Sequence, residues 1–202
     1  MARASILIRE AAPPDLSAIA RLWADIKRGV GRADRLAPMP NIDRVRDHVC
    51  RSPRDPDQRI LVATVDDHAD VVGFCVLTRQ PLAPMYDGSS VHLHYLHVAE
   101  PGRRRGVGRA LVAAAASFAE EVAAEHVVTN VYPHLRDSNR FFARLGFAPV
   151  ITRRVVALPA LRRRLSLESR LESRASSVDE VLARRRSVRR LRTALIRTAD
   201  QT

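Results

Sequence analysis

At 202 residues with 46% apolar side chains, the chain can bury the core of one ordinary domain and leave an extension over. Its net charge of +12 invites a nucleic-acid or other acidic partner, yet +7 of it falls in residues 159–202, where 12 Arg face 5 Asp and Glu. Two cysteines, Cys50 and Cys75, are too few for a disulfide framework, and neither a signal-like apolar start nor an apolar run of membrane length is present.

A cytoplasmic protein without membrane contact is therefore expected. Trp23, five Phe and three Tyr make a poor base-stacking platform, and the only lysine is Lys27, so the basic character reflects a general preference for arginine.

In chain order, Ile6 to Glu10 reads as a first strand. Pro13-Pro14-Asp15 is a turn with Asp15 as N-cap, and Leu16, Ile19, Ala20, Trp23 and Ile26 form one apolar face of a helix. Residues 29–40 read as a loop, and Ile42 to Cys50 as a second short helix. Arg59 to Asp66 and Val71 to Arg79 are two strands joined at Asp67-His68-Ala69-Asp70. A polar loop holding Tyr86 leads into Val91 to Val98, where alternation and β-forming residues predict a strand. Pro101-Gly102 ends it, and Val107, Leu111, Ala115, Phe118 and Val122 then recur at helical spacing. His126 to Val131 is a fifth strand, Asp137 to Leu145 a short helix, and Phe147 to Ile151 with Arg153 to Ala157 a final strand pair.

Beyond Pro159 the pattern changes. Leu161 and Leu165 suggest one helix. Ser177-Val178-Asp179-Glu180 is a capping box opening a run with Val178, Val181, Leu182, Val188, Leu191 and Leu195 mostly on one face. The expected division is therefore 1–158 for the main domain and 159–202 for a basic amphipathic extension. Its apolar stripe would pack on the same subunit or on a dimer mate, or serve as an arm for an acidic partner.

The chemistry concentrates between the central strand and the following helix. Arg103-Arg104-Arg105-Gly106-Val107-Gly108 joins them. A helix start offers unpaired N–H groups and a positive dipole end, glycines let an anion approach the backbone, and arginines add charged hydrogen bonds. A dinucleotide loop would need a small residue where Leu111 stands, and a Walker loop needs Gly-Lys-Ser/Thr, which is absent.

The segment resembles the pyrophosphate loop of the GNAT N-acetyltransferase superfamily, Arg/Gln-x-x-Gly-x-Gly/Ala, with Arg103, Gly106 and Gly108 at the fixed positions. The preceding Leu93-x-x-Leu96-x-Val98 and the later Ser138-Asn139-Arg140-Phe141-Phe142-Ala143-Arg144-Leu145-Gly146-Phe147 extend the likeness over about residues 5 to 157. It implies a mixed α/β fold: a twisted, mostly antiparallel sheet with splayed central strands, flanked by helices. It implies acetyl-CoA as co-substrate and an amine acceptor. Arg103, Arg104, Arg105, Gly106, Val107, Gly108 and Arg109 would hold the pyrophosphate, and Leu96, His97 and Val98 the pantetheine arm, with Ser138 and Phe141 also at the cofactor.

For the base, the resemblance points to His92 and His94, with His94 preferred as nearer the thioester; histidine is a competent base near neutral pH. Alternation puts His97 on the opposite strand face unless a bulge re-aims it, which argues against a metal site in His-x-His-x-x-His. Phe142 stands where the superfamily usually has its tyrosine proton donor, and Leu135 where an asparagine is common. Tyr132 can substitute, water can protonate the thiolate, or the chain can be a degenerate acyl-CoA sensor or nucleic-acid- or ribosome-associated module. Asp25, Asp34 and Asp87 are the acids available to an acceptor, and a homodimer through the C-terminal helices is the expected assembly.

Overall fold

The computed structural model describes residues 5–29, 42–51, 55–65, 70–85 and 88–168. Five strands form one sheet in the order β1 (Ile6–Glu10), β2 (Gln58–Val65), β3 (Gly73–Pro81), β4 (Ser89–Val98) and β5 (His126–Thr129). The first four pair antiparallel, and β5 pairs parallel to β4. The helices are α1 (Leu16–Gly29), α2 (Ile42–Arg51), α3 (Val107–Glu121) and α4 (Arg136–Arg144).

Strand alternation sorts the core into two layers. Leu61, Ala63, Cys75, Leu77, Val91 and Leu93 pack with Val107, Leu111, Ala115 and Phe118 of α3 and with Phe142 of α4. Ile60, Val62, Phe74 and Val76 pack on the other face, with Ile19, Leu22 and Trp23 of α1 and Val45 and Val49 of α2. Both faces of β2 and β3 are covered, which is why their sequences run continuously apolar. At Gly73 an added Cβ would stand 3.1 Å from the His97 carbonyl oxygen and from a Val107 methyl. The glycine thus lets the start of α3 press against the sheet.

Two features of β4 position the site. Its pairing with β5 ends at Leu93 opposite Thr129, although β4 continues to Val98. There the Thr129 hydroxyl donates to the Leu93 carbonyl at 3.1 Å. This parting of β4 from β5 is the splay that the resemblance implies. The second feature is a bulge. Val76 faces His94 and Phe74 faces His97, so Cys75 alone spans Tyr95 and Leu96, and Tyr95 takes a positive φ of 54°.

The bulge corrects the expectation for His97. One extra residue reverses the strand's parity, so His97 shares the α1-facing side with His92 and His94. The expected strand pair after α4 is also not formed: residues 147–157 carry no strand. Val150 and Ile151 are largely exposed, and β-forming side chains do not make a strand without a covered face and a backbone to pair with. The Asp67–Asp70 turn, apart from Asp70, lies outside the described residues.

Asp15 departs from the expected forward cap. It accepts from the Ala12 N–H at 2.8 Å and from both terminal nitrogens of Arg9 at 2.6 and 2.8 Å, which ties β1 to the entry of α1. The Arg9 hydrogen bonds hold its carboxyl below the usual carboxylate range. A depressed carboxyl contributes stability above the unfolded value of about 3.9 and loses it as pH falls through the lower folded value. With Arg9 39% exposed on its side chain, Asp15→Asn should cost about 1–2 kcal/mol at neutral pH and little at pH 2, a difference that denaturant titrations at the two pH values would reveal.

The chain divides into two compact units, Met1–Ile151 and Thr152–Thr202. The described part of the second has residues 152–157 outside regular structure, followed by a helix at 158–168, α5. Leu158, Leu161 and Leu165 lie along one side of α5 and are exposed. The capping box and the stripe from Val178 to Leu195 lie outside the described residues. Among the described residues no helix is long and apolar enough to cross a membrane.

Candidate active site

The segment from Arg103 to Gly108 joins strand to helix, as its sequence predicts. A short 3-10 turn, Glu100–Gly102, ends β4, and α3 begins at Val107 with Gly106 as its N-cap at φ 91°. An L-side chain resists that conformation, so Gly106 is required for the chain to turn into the helix. No side chain caps this N-terminus. The first helical N–H groups therefore remain available to an anion. Arg103, Arg104, Arg105 and Arg109 are exposed around them.

Arg103 also serves the fold, because its Nε donates to the Val98 carbonyl at 3.1 Å and braces the loop on the end of β4. Gly108 faces the Phe141 ring, and an added Cβ would meet it at 3.4 Å, an ordinary contact. Phe141 thus lies beside the helix start, and Ser138 is half-buried one turn earlier on α4. Leu96 and Val98 pack partly into the α3 layer, on the stretch of β4 beyond the β5 pairing.

On the opposite face, His92 and His94 stack with ring centroids 5.9 Å apart. His94 Nε2 lies 3.0 Å from the Thr78 hydroxyl, and His92 Nε2 lies 3.0 Å from the Ser90 hydroxyl. Ser90 in turn donates to the Gln80 carbonyl at 2.9 Å, which orients the first ring. His97 is more enclosed. Burial is the main cause that lowers its pKa, opposed by Asp25 of α1, whose carboxylate is 3.8 Å from Nε2. Asp25 also accepts from Arg28, so this acid is already engaged. Although the bulge brings three histidines to one face, no group of three or more His, Cys, Asp or Glu among the described residues could hold a metal ion.

Tyr132 follows β5, its ring 5.7 Å from that of His134. Asn139 donates to the carbonyls of Tyr132 and Leu135 at 2.9 and 2.8 Å, so it fixes the connection to α4. Phe142 points into the core, 7% exposed, with its ring 5.1 Å from Phe141 and 5.2 Å from Phe147. It fills space. Phe142→Tyr should therefore restore no catalytic acid and should lower stability by about 1–3 kcal/mol, because the new hydroxyl enters an apolar layer; a melting curve and an activity measurement on the one variant check both halves.

Sequence reasoning missed Tyr95. It stands on the bulge with its ring 4.5 Å from Trp23 and 6.0 Å from His94. A tyrosine in a run of alternating β-formers gives no sign of this; only the positive φ distinguishes it. Asp34 and Asp87, offered by sequence as acceptor-site residues, and Tyr86 of the polar loop lie outside the described residues.

The model of the Acetyltransferase (GNAT) family matches residues 22–147, more than half of the chain. The chain belongs to the GNAT family and is an N-acetyltransferase that uses acetyl-CoA as co-substrate. No curated protein matches it.

Similar solved structures include a transcriptional regulator from Bacillus halodurans C-125, at 20% identity and TM-score 0.62, covering 76% of this chain and 100% of that one. A ribosomal-protein-alanine N-acetyltransferase from Brucella melitensis biovar Abortus 2308 is 20% identical with TM-score 0.59, covering 76% and 99%. AAC(6')-Iy, solved in complex with the bisubstrate analog CoA-S-monomethyl-acetylneamine, is 18% identical with TM-score 0.57, again covering 76% and 99%. At these identities the likeness is one of fold.

Proposed function

We propose that the chain transfers the acetyl group of acetyl-CoA to a primary amine by direct attack of the amine on the thioester. The observation that carries this reading is the β4 bulge. It sets three histidines on one face of the strand at the point where β4 leaves β5, while the uncapped start of α3 lies at the strand's end. The pyrophosphate would lie on the N–H groups of Gly106 to Arg109, with Arg103, Arg104 and Arg105 around it. The pantetheine arm would run along Leu96 to Val98, whose open edge can pair with its amides.

The amine attacks the thioester carbon from the histidine face. His94, oriented by Thr78, takes the ammonium proton, and His92 is the neighbouring base. Carbon–sulfur cleavage then leaves a thiolate that needs a proton. Tyr132 is the phenol that sequence offers for it.

Asp25 is held by Arg28, so the described part of the acceptor wall presents few uncommitted carboxylates, and a weakly charged amine fits it better than a polycation. The protein is read as cytoplasmic, with α5 and the segment after it available to join two copies. The test is CoA thiol release on mixing protein and acetyl-CoA with a panel of aryl-alkyl amines, amino sugars, polyamines and peptides. Release with at least one amine is expected; binding of acetyl-CoA without release from any would favour the sensor reading instead.

A further inference from the structure

The usual proton donor of the family is absent, and Phe142 is sealed in the core, so the leaving thiolate needs another source. We propose that Tyr95 is the catalytic acid, an assignment that rests on the acetyl-CoA reading of the site. Tyr95 lies two residues past the last β4–β5 pair, on the residue the bulge inserts. Its φ of 54° is a conformation that an L-residue adopts only when its surroundings enforce it. The strained residue at the fork of the sheet is thus the one that carries a phenol.

The ring's surroundings suit an acid. Trp23 packs edge-on against it at 4.5 Å, while 40% of the residue remains exposed. The titratable groups around it are His94 beside it on β4, Tyr132 after β5, and His97 with Asp25 of α1 further along the same face. Burial, and secondarily the Tyr132 phenol, raise its pKa, so the ring stays a neutral phenol, a hydrogen-bond donor to the sulfur as negative charge gathers there.

The step balances. The amine nitrogen bonds to the acetyl carbon, and the carbon–sulfur bond breaks with its electron pair passing to sulfur. The Tyr95 hydroxyl proton goes to that sulfur. The phenolate recovers the proton that His94 took from the amine, directly or through one water, with ring centroids 6.0 Å apart. Acid and base are adjacent residues, so the enzyme returns to its starting protonation state without exchanging a proton with bulk solvent.

A binding cycle tests this without an acceptor. The affinities of CoA and of desulfo-CoA are measured by calorimetry at pH 8.5 for the intact chain, Tyr95→Phe and Tyr132→Phe. A phenol that donates to the sulfur makes CoA bind tighter than desulfo-CoA by about threefold or more, and Tyr95→Phe abolishes that preference. Tyr132→Phe should leave it intact. With any amine that supports turnover, Tyr95→Phe should lower kcat about 100-fold with KM for acetyl-CoA unchanged.

Equal preferences in the intact chain and Tyr95→Phe, or loss in Tyr132→Phe instead, would overturn the assignment while leaving the CoA site standing. Absence of binding to both ligands would overturn the site and this assignment with it.

Discussion

His94→Ala should lower kcat by between about 100- and 10,000-fold, the range by which a positioned general base accelerates proton transfer. KM for acetyl-CoA should change little, because the ring lies within β4, away from the proposed cofactor loop at the strand's end. His94 is favoured over His92 by its place: it adjoins the bulge and has the Thr78 hydroxyl 3.0 Å from Nε2. His92 stands two residues further from the bulge, with the Ser90 hydroxyl 3.0 Å from its Nε2. His92→Ala should therefore cost several-fold less than His94→Ala. Steady-state rates for both variants, with folding checked by circular dichroism, decide the order, and partial recovery of His94→Ala by added imidazole would identify the lost function as proton transfer.

Phe118→Ala should have the largest effect on stability, about 3–5 kcal/mol. The side chain is 1% exposed in the α3 layer, and Arg59 lies over its ring at 4.5 Å. That arginine also reaches Glu121 at 2.6 Å and Glu10 at 3.4 Å, so removal of the ring loosens a link between α3, β2 and β1. Against a total of about 5–15 kcal/mol, the expected fall in Tm is on the order of 10 °C. If the start of α3 holds the pyrophosphate as proposed, acetyl-CoA at about 100 times its Kd should return up to about 2.7 kcal/mol to the variant. Thermal melts with and without acetyl-CoA measure both numbers.

Much of this was legible in the sequence because it is written in short-range patterns. Among the described residues of the first unit, the five strands and four helices stand where the sequence pattern puts them, and the loop from Arg103 to Gly108 has the strand before it and the helix after it. What the sequence concealed was a count. One inserted residue in β4 moves His97 to the face of His92 and His94 and turns Tyr95 out of the ladder. The bulge shows only in the pairing of β4 with β3, where Val76 faces His94 and Phe74 faces His97. The strand pair expected over 147–157 failed for the opposite reason: the local preference is present, but Val150 and Ile151 find no cover.

The most direct test of the acetyl-CoA site is calorimetric titration of the intact chain, Gly108→Ala and Gly108→Trp with acetyl-CoA. Gly108 has helical backbone and room for a Cβ beside Phe141, so alanine leaves the fold and the helix start undisturbed. A tryptophan sends an indole toward Phe141 and crowds the helix start. Binding by the intact chain and Gly108→Ala, with loss of at least about 100-fold in a folded Gly108→Trp, is the predicted result. Equal affinity in all three would contradict the placement of the pyrophosphate at the start of α3.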